Sequence, residues 1–412
     1  MTSGKIPAVR FDWQTPLVIL LCGCLVAILS FGPRSSLGLF LTPMSSAHGW
    51  GREIFALAIA IQMLLWGAAQ PFAGAVADRF GPVIVLSAGA LLYAVGLALM
   101  AHAASPGMLY LSGGVLVGFG LAGASFMVVL GAFGKLLPLR WRSLSFGLGT
   151  AAGSFGQFLF APLAVGLNSA FPWTTTLVAF SAMVLVIIPL SLALSMPRDF
   201  GAHAAGTPQQ SVTQAIREAL GHRSYIYLVL GFFTCGFQVF FITVHLPAYL
   251  LDRGLSADIG AWTVGVIGLF NIVGSISAGL LSDRMPKRYL LAAIYFLRSV
   301  AIVVFISIPV STPAALVFGA VIGLLWLSTV PPTNGIVALM FGTRWLTMLA
   351  GFAFFSHQVG GFLGVWLGGL VFERTGSYDV IWWLAILLGV LSALINLPIV
   401  EKPVARPAAA PA

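Results

Sequence analysis

The sequence predicts an all-α membrane protein, with twelve transmembrane helices in two pseudo-symmetric six-helix bundles. Three observations carry that prediction. First, 59% of the 412 residues are hydrophobic and only 8% are charged, whereas a soluble domain carries roughly 25% charged residues. Lipid must therefore cover most of the chain. Second, the apolar residues gather into twelve stretches, each close to the about 20 residues that cross a hydrocarbon core of about 30 Å. Third, one short loop pattern occurs twice, once in each half.

The helices are predicted over 15–41, 52–76, 83–102, 108–131, 143–166, 173–196, 224–250, 260–281, 289–309, 314–340, 347–371 and 380–400. Most connections are short. The long one, Pro197 to Arg223, is polar and divides six spans from six; its second part, 211–220, has the pattern of a short surface helix. The expected organisation is an N-terminal bundle over 1–196, a cytoplasmic linker over 197–223, a C-terminal bundle over 224–400 and a cytoplasmic tail over 401–412. The N-terminus, with Lys5 and Arg10 before an apolar run, resembles a signal peptide. Eleven further spans and the lack of a clear small-residue cleavage site favour an uncleaved first helix.

Orientation follows from the basic residues. With the N-terminus inside, fifteen of the 20 Lys and Arg fall on the cytoplasmic side, three (Arg52, Arg253 and Arg374) fall outside, and Arg34 and Arg298 lie within the membrane. The asymmetry sets both termini in the cytoplasm of an inner-membrane protein. The formal charge of +9 thus reflects topology, and no nucleic-acid partner is implied. Cys22, Cys24 and Cys235 all lie in apolar spans, so no disulfide framework is expected. No metal-ligand cluster, nucleophile elbow or phosphate-binding loop is present. Neither an enzyme nor a cofactor is expected, and secondary transport is the default.

The repeated loop reads Gly74-Ala-Val-Ala-Asp78-Arg79-Phe-Gly81 after the second helix. It reads Gly279-Leu-Leu-Ser-Asp283-Arg284-Met-Pro286-Lys287-Arg288 after the eighth, and both the Gly and the Asp are offset by 205 residues. Halves related in this way are the layout of transporters that rock about a central site. The pattern resembles the loop signature of the major facilitator superfamily, although Pro82 and Pro286 depart from it. In this reading Asp78, Arg79, Asp283 and Arg284 belong to a cytoplasmic gate. Arg344 is the expected partner of Asp78, and Arg142 that of Asp283.

A narrower resemblance covers most of the chain. Pro33-Arg34-Ser35 is similar to the Pro-Lys-Ser of the monocarboxylate porter family. Gly49-Trp50-Gly51-Arg52-Glu53, His245-Leu-Pro-Ala-Tyr249 and Gly268-Leu-Phe-Asn271 are similar to bacterial members. The resemblance implies that Arg34 holds a substrate carboxylate and that transport is proton-coupled. One position departs from the family: an arginine usual one turn after Asn271 is here Ser275.

Arg34 is placed roughly 12 Å below the exit of its helix, with nothing acidic nearby in sequence. Either it holds the negative group of a transported anion, or it is a structural arginine bonded to backbone carbonyls and hydroxyls. Arg298, roughly 15 Å deep in the ninth helix, is either structural or a second anion contact. All eleven acidic residues fall outside the predicted hydrocarbon region. Exporters of cationic drugs commonly need an embedded carboxylate, so the intramembrane charges favour an anionic substrate. Thr234, Gln238 and His245 share a face of the seventh helix. His245 is open to proton coupling or to a local helix-end bond; His357, mid-way along the eleventh helix, is open to proton or substrate contact. Asn271 is the expected polar wall of the cavity. The expected partners are a small organic anion, a proton and lipid, and a monomer is expected. The alternatives are a broad-specificity exporter of amphiphilic compounds and a transporter-like sensor, for which the linker and tail are too small to signal alone.

Overall fold

The computed structural model describes residues 14–50, 52–196 and 210–404. Lys5, Arg10, Gly51, Arg198, Arg406 and the first part of the linker, 197–209, lie outside the described residues. Among the described residues twelve helices are long and apolar enough to cross a membrane. In chain order they are α1 (Pro16–Phe40), α2 (Leu57–Phe80), α3 (Pro82–Ala101), α4 (Pro106–Leu136), α5 (Leu139–Ala170) and α6 (Trp173–Leu194). The second six are α7 (Arg223–Asp252), α8 (Asp258–Arg284), α9 (Lys287–Ser307), α10 (Thr312–Phe341), α11 (Leu346–Phe372) and α12 (Asp379–Asn396).

Several spans begin where the sequence dictates. Thr15, Ser105 and Ser311 each cap a helix with the side-chain oxygen, and each cap is followed by a proline in the first turn. The cap supplies an acceptor to a first-turn N–H, and proline has no N–H to leave unpaired there. The polar stretch before α7 does form a helix, Val212–Leu220. It opens on a capping box of Ser211 and Gln214, and Trp345 Nε1 donates to Gln210 O at 3.1 Å.

Four of the spans, α1, α4, α6 and α10, are interrupted, and the interruptions in α1 and α10 bear on the residues singled out in the sequence. In α1 the regular helix stops at Ser35, passes through a single 3-10 turn at Leu37–Phe40, and continues as Leu41–His48. Pro33 donates no backbone hydrogen bond, and the Ser35 and Ser36 hydroxyls both donate back to Gly32 O, at 2.7 and 3.3 Å. The sequence reading of one helix over 15–41 is corrected here: Arg34 sits in the last turn of a helix that ends inside the membrane, where a cation is favoured by the helix dipole. In α10 the helix ends at Leu325 and restarts at Val330, just before Pro331-Pro332. The Leu325 and Trp326 carbonyls are left without helical partners.

The two halves meet along a seam of α2 against α11 and α5 against α8. Both chain ends of the described residues lie on one face, here called the terminal face. Near it, a side chain on Gly74 would run into the Thr347 backbone, one on Gly351 into Pro71, and one on Gly279 into Ser143 O and Gly147. Glycine at these positions lets the backbones touch. Contact continues up to Gln358 Nε2 donating to Met63 O at 3.5 Å and Asn271 Nδ2 donating to Ser154 Oγ at 2.6 Å. Farther along the same helix faces the surfaces are bare: Phe158 is 52% exposed, Trp366 is 53% exposed, and Gly268 has nothing near it. The halves are therefore closed at the terminal face and part towards the other.

Asp78 fastens the closed end. Its carboxylate accepts from Lys135 Nζ at 2.5 Å and from the Thr347 and Met348 backbone N–H groups at 3.3 and 2.8 Å. This corrects the expected Asp78–Arg344 pair: the Arg344 guanidinium lies by the Trp345 ring, and the opposite half supplies α11's N-terminus instead. The Asp78 side chain is wholly buried in protein. Asp283 is exposed and makes no ion pair with Arg142, whose Nε is buried without a partner. Arg79 and Arg284 are exposed.

A prediction follows from the fastening. Hydrogen bonds to a charged group are worth about 1.5–3 kcal/mol each, and the two that cross between the halves here, from the Thr347 and Met348 N–H groups, depend on the Asp78 carboxylate. Asp78→Asn is therefore expected to open the terminal face. A thiol reagent should reach a cysteine at buried Ser143 (Ser143→Cys) several times faster when Asp78→Asn is also present than when it is not. An unchanged rate would remove Asp78 from the gate.

Candidate functional site: an unpaired guanidinium in an aromatic cage

Above the closed seam, α1, α2, α4, α7 and α11 converge on Arg34. Its guanidinium lies 4.7 Å from the Trp66 ring centroid and 6.0 Å from that of Phe240. Trp66 is held edge-on by Phe31 at 5.8 Å and by tilted packing on Phe354 at 5.0 Å; Phe126 closes the same group at 4.9 Å from Phe31. His357 joins from α11, stacked on Phe354 at 5.7 Å and meeting Phe240 at 5.7 Å. Small residues set these positions. Phe160 packs where a side chain on Gly32 would stand, and the His357 backbone lies where one on Gly236 would stand. α7 and α11 can therefore approach closely enough to bring His357 to the cage.

The polar atoms of the cage are unsatisfied by protein. Arg34 Nε, Trp66 Nε1 and His357 Nε2 are buried without a hydrogen-bond partner among the described residues. The other ring nitrogen of His357 faces Gln358 Oε1 at 3.3 Å. Arg34 as a whole is half-buried, and its side chain forms no hydrogen bond or ion pair with any described residue. Buried polar groups in native proteins are nearly always paired, so a cluster of unpaired donors around one cation is suited to accept a ligand's negative oxygens.

The remaining residues singled out in the sequence lie elsewhere. Arg298 is 1% exposed and fully engaged: Nε donates to Leu325 O at 3.0 Å, Nη2 to Leu325 O at 2.5 Å and also to Trp326 O, and Nη1 to Gln238 Oε1 at 3.4 Å. It caps the break in α10. Gln238 is tied in turn, donating to Ala385 O at 2.9 Å. Asn271 serves the same break from the other side: its Oδ1 accepts from Leu327 N at 2.9 Å and from Ser275 Oγ at 3.2 Å, while its amide crosses the seam to Ser154. The structure places Arg34 and His357 on one group of rings, whereas Asn271, Gln238 and Arg298 are bonded at or around the α10 break.

His245 is a joint near the C-terminal end of α7. Its Nε2 lies 3.0 Å from Val365 O, and its Nδ1 lies 3.3 Å from the Tyr378 hydroxyl. A carbonyl can only accept, so Nε2 carries the proton and Nδ1 accepts from Tyr378. Burial pushes the Tyr378 phenol up, with the Asp252 charge adding to it, so the phenol keeps its proton to donate. Trp66 is not legible as a ligand contact in the sequence. The only signal at Trp66 is its place among three polar or amphipathic positions repeating every four residues on one helix. An apolar recess of about 270 Å³ between Tyr225, Phe233, Phe352 and Phe355 has no charged lining and lies apart from the cage.

Two bundles closed against each other on one side, with a lone cation where they part, define a membrane transporter of the rocking type. Residues 23–365 match the family model described as Major Facilitator Superfamily, and the chain belongs to that superfamily of transporters. It is 27% identical to the MFS-type transporter YcxA of Bacillus subtilis, over 90% of this chain and 92% of that one. It is 28% identical to monocarboxylate transporter 13 of Rattus norvegicus, over 92% of this chain and 88% of that one. Among solved structures the fucose:proton symporter FucP of E. coli superposes with a TM-score of 0.69 at 17% identity, covering 92% of this chain and 99% of FucP. The proton:xylose symporter XylE superposes at 0.71 with 14% identity, covering 94% and 97%. At that identity the two symporters share the fold alone.

Proposed function

We propose that this transporter carries a small organic monoanion, monocarboxylate-like, across the inner membrane by alternating access, with its carboxylate bound at Arg34. The observation that supports it is the half-buried guanidinium that no oxygen of a described residue satisfies, in a cage with further unpaired polar atoms. Arginine suits a carboxylate because its fork can donate two parallel hydrogen bonds, and a partly dry site strengthens them. The relatives named as monocarboxylate transporters point the same way. The basic-residue asymmetry makes the terminal face cytoplasmic, so the fastening of Asp78 to the start of α11 is the cytoplasmic gate. The bundles over 1–196 and 224–400 are the units that rock, and Asn271–Ser154 is a bond they break on switching.

Proton symport belongs to the same reading. Among the described residues the cage has no carboxylate to carry a proton, and His357, an imidazole packed on Phe240 and Phe354, is the group in it assigned that role. A thermal-shift screen of the purified protein against carboxylates tests binding. In proteoliposomes, an inwardly directed pH gradient is expected to speed uptake severalfold and His357→Gln to remove that acceleration; a flux indifferent to the gradient would exclude symport.

A further inference from the structure

Building on the carboxylate reading of Arg34, we infer that the preferred substrates are aryl monocarboxylates, a single carboxylate on a flat aromatic body. Small hydroxy acids and dicarboxylates are discriminated against. Three features of the site carry this inference.

The first is charge count. Arg298, the only other cation placed within the spans by the sequence, is consumed by the Leu325 and Trp326 carbonyls. A second carboxylate would enter a poorly solvated site with no countercharge, which is costly.

The second is the nature of the walls. The surfaces around Arg34 are rings: Trp66, Phe31, Phe126, Phe240 and Phe354, with the His357 imidazole among them. The approach from the open side is also aromatic, with Phe158, Phe362 and Trp366 exposed on the parted faces. Aromatic bodies pack on such walls edge-on or offset, with a gain beyond the area they bury. A lactate-sized hydroxy acid would bring a hydroxyl with little to bond it and no body to fill the space.

The third is the donor set. Trp66 Nε1 and His357 Nε2 are unpaired, on side chains 2% and 5% exposed. The first belongs to the ring against the guanidinium, and the second to an imidazole that packs on Phe240 and Phe354 of the same cage. They take over the work of the arginine that the family resemblance expects where Ser275 stands. Ser275 itself is turned away, donating to Asn271. Trp66 thus has two roles, a ring under the guanidinium and an N–H towards the ligand.

The test uses the purified full-length protein in detergent, with binding read by calorimetry. The probes are benzoate, lactate, succinate and benzyl alcohol. Benzoate is expected to bind at least about tenfold more tightly than lactate, with succinate and benzyl alcohol weaker still. Trp66→Leu, which removes ring and donor, is expected to weaken benzoate on the order of tenfold and lactate far less. Trp66→Phe, which keeps a ring and is the milder change for folding, should fall between. Lactate or succinate binding as tightly as benzoate, with Arg34→Gln abolishing all of it, would overturn the aryl preference and leave the anion reading standing. Benzyl alcohol binding as well as benzoate, or benzoate binding unaffected by Arg34→Gln, would overturn both and favour an exporter of amphiphiles.

Discussion

Replacing Arg34 with glutamine is expected to abolish carboxylate binding while leaving the protein as stable as before, or more stable. The two halves of that expectation come from one geometry. Hydrogen bonds to a charged group are worth about 1.5–3 kcal/mol each, so losing a two-point contact should weaken binding by on the order of a hundredfold or more. Stability moves the other way because the Arg34 side chain holds nothing together: no described residue accepts a hydrogen bond from it or pairs with it. A cation at membrane depth without a partner is a cost to the folded state. Its stacking on Trp66 at 4.7 Å returns about 0.5–2 kcal/mol, and its place at a helix C-terminus returns a little more. The measurement is melting temperature and membrane abundance beside ligand binding, on the same preparations. A structural arginine would give the opposite pattern, with lost abundance and a lowered melting temperature. That pattern would remove the anion site from Arg34.

Much of the fold is legible in the sequence because lipid imposes a simple demand. Twelve apolar stretches, a doubled Gly–Asp loop and the asymmetry of Lys and Arg are properties of composition and order, and they survive without knowledge of side-chain contacts. The site is legible only where chemistry is unusual for its depth. A cation after proline in an apolar run stands out, and so Arg34 does. His357 stands out as a mid-span imidazole. What cannot be read is which polar residues the backbone uses up. The α10 break has a local cause, Pro331-Pro332, but nothing in the sequence says that Arg298, Asn271 and Gln238 turn towards it. These three come from α9, α8 and α7, and only packing decides that they meet there. Trp66 escapes a sequence reading for the converse reason. A tryptophan in a membrane helix is ordinary, and its role depends on the Arg34 head group lying over it and on its N–H being unpaired. Lys135 as partner of Asp78 escapes it because packing within the first bundle brings α4 and α2 together across some 57 positions.

The contrasting expectation concerns the other intramembrane arginine. Arg298→Met keeps most of the volume of the side chain and removes every donor. It is expected to deplete the protein from the membrane and to lower its melting temperature strongly, whatever ligand is present. The reason lies in what the guanidinium leaves behind. Leu325 and Trp326 carry carbonyls that the broken helix cannot bond, and Arg298 donates to both. Each buried polar group left unpaired costs about 1–3 kcal/mol, and Gln238 loses a donor as well. The sum is a large fraction of the 5–15 kcal/mol by which folded domains are typically stable. Arg298→Lys, with one charged head in place of a fork, should recover part of the loss, since a single ammonium can still meet one or two of the same oxygens. A charge-only role would predict full rescue by lysine, and a ligand contact would predict normal abundance with altered binding. Stability that fails with methionine and returns in part with lysine assigns Arg298 to the α10 break. Arg34→Gln, measured in parallel, should leave stability intact and take binding away.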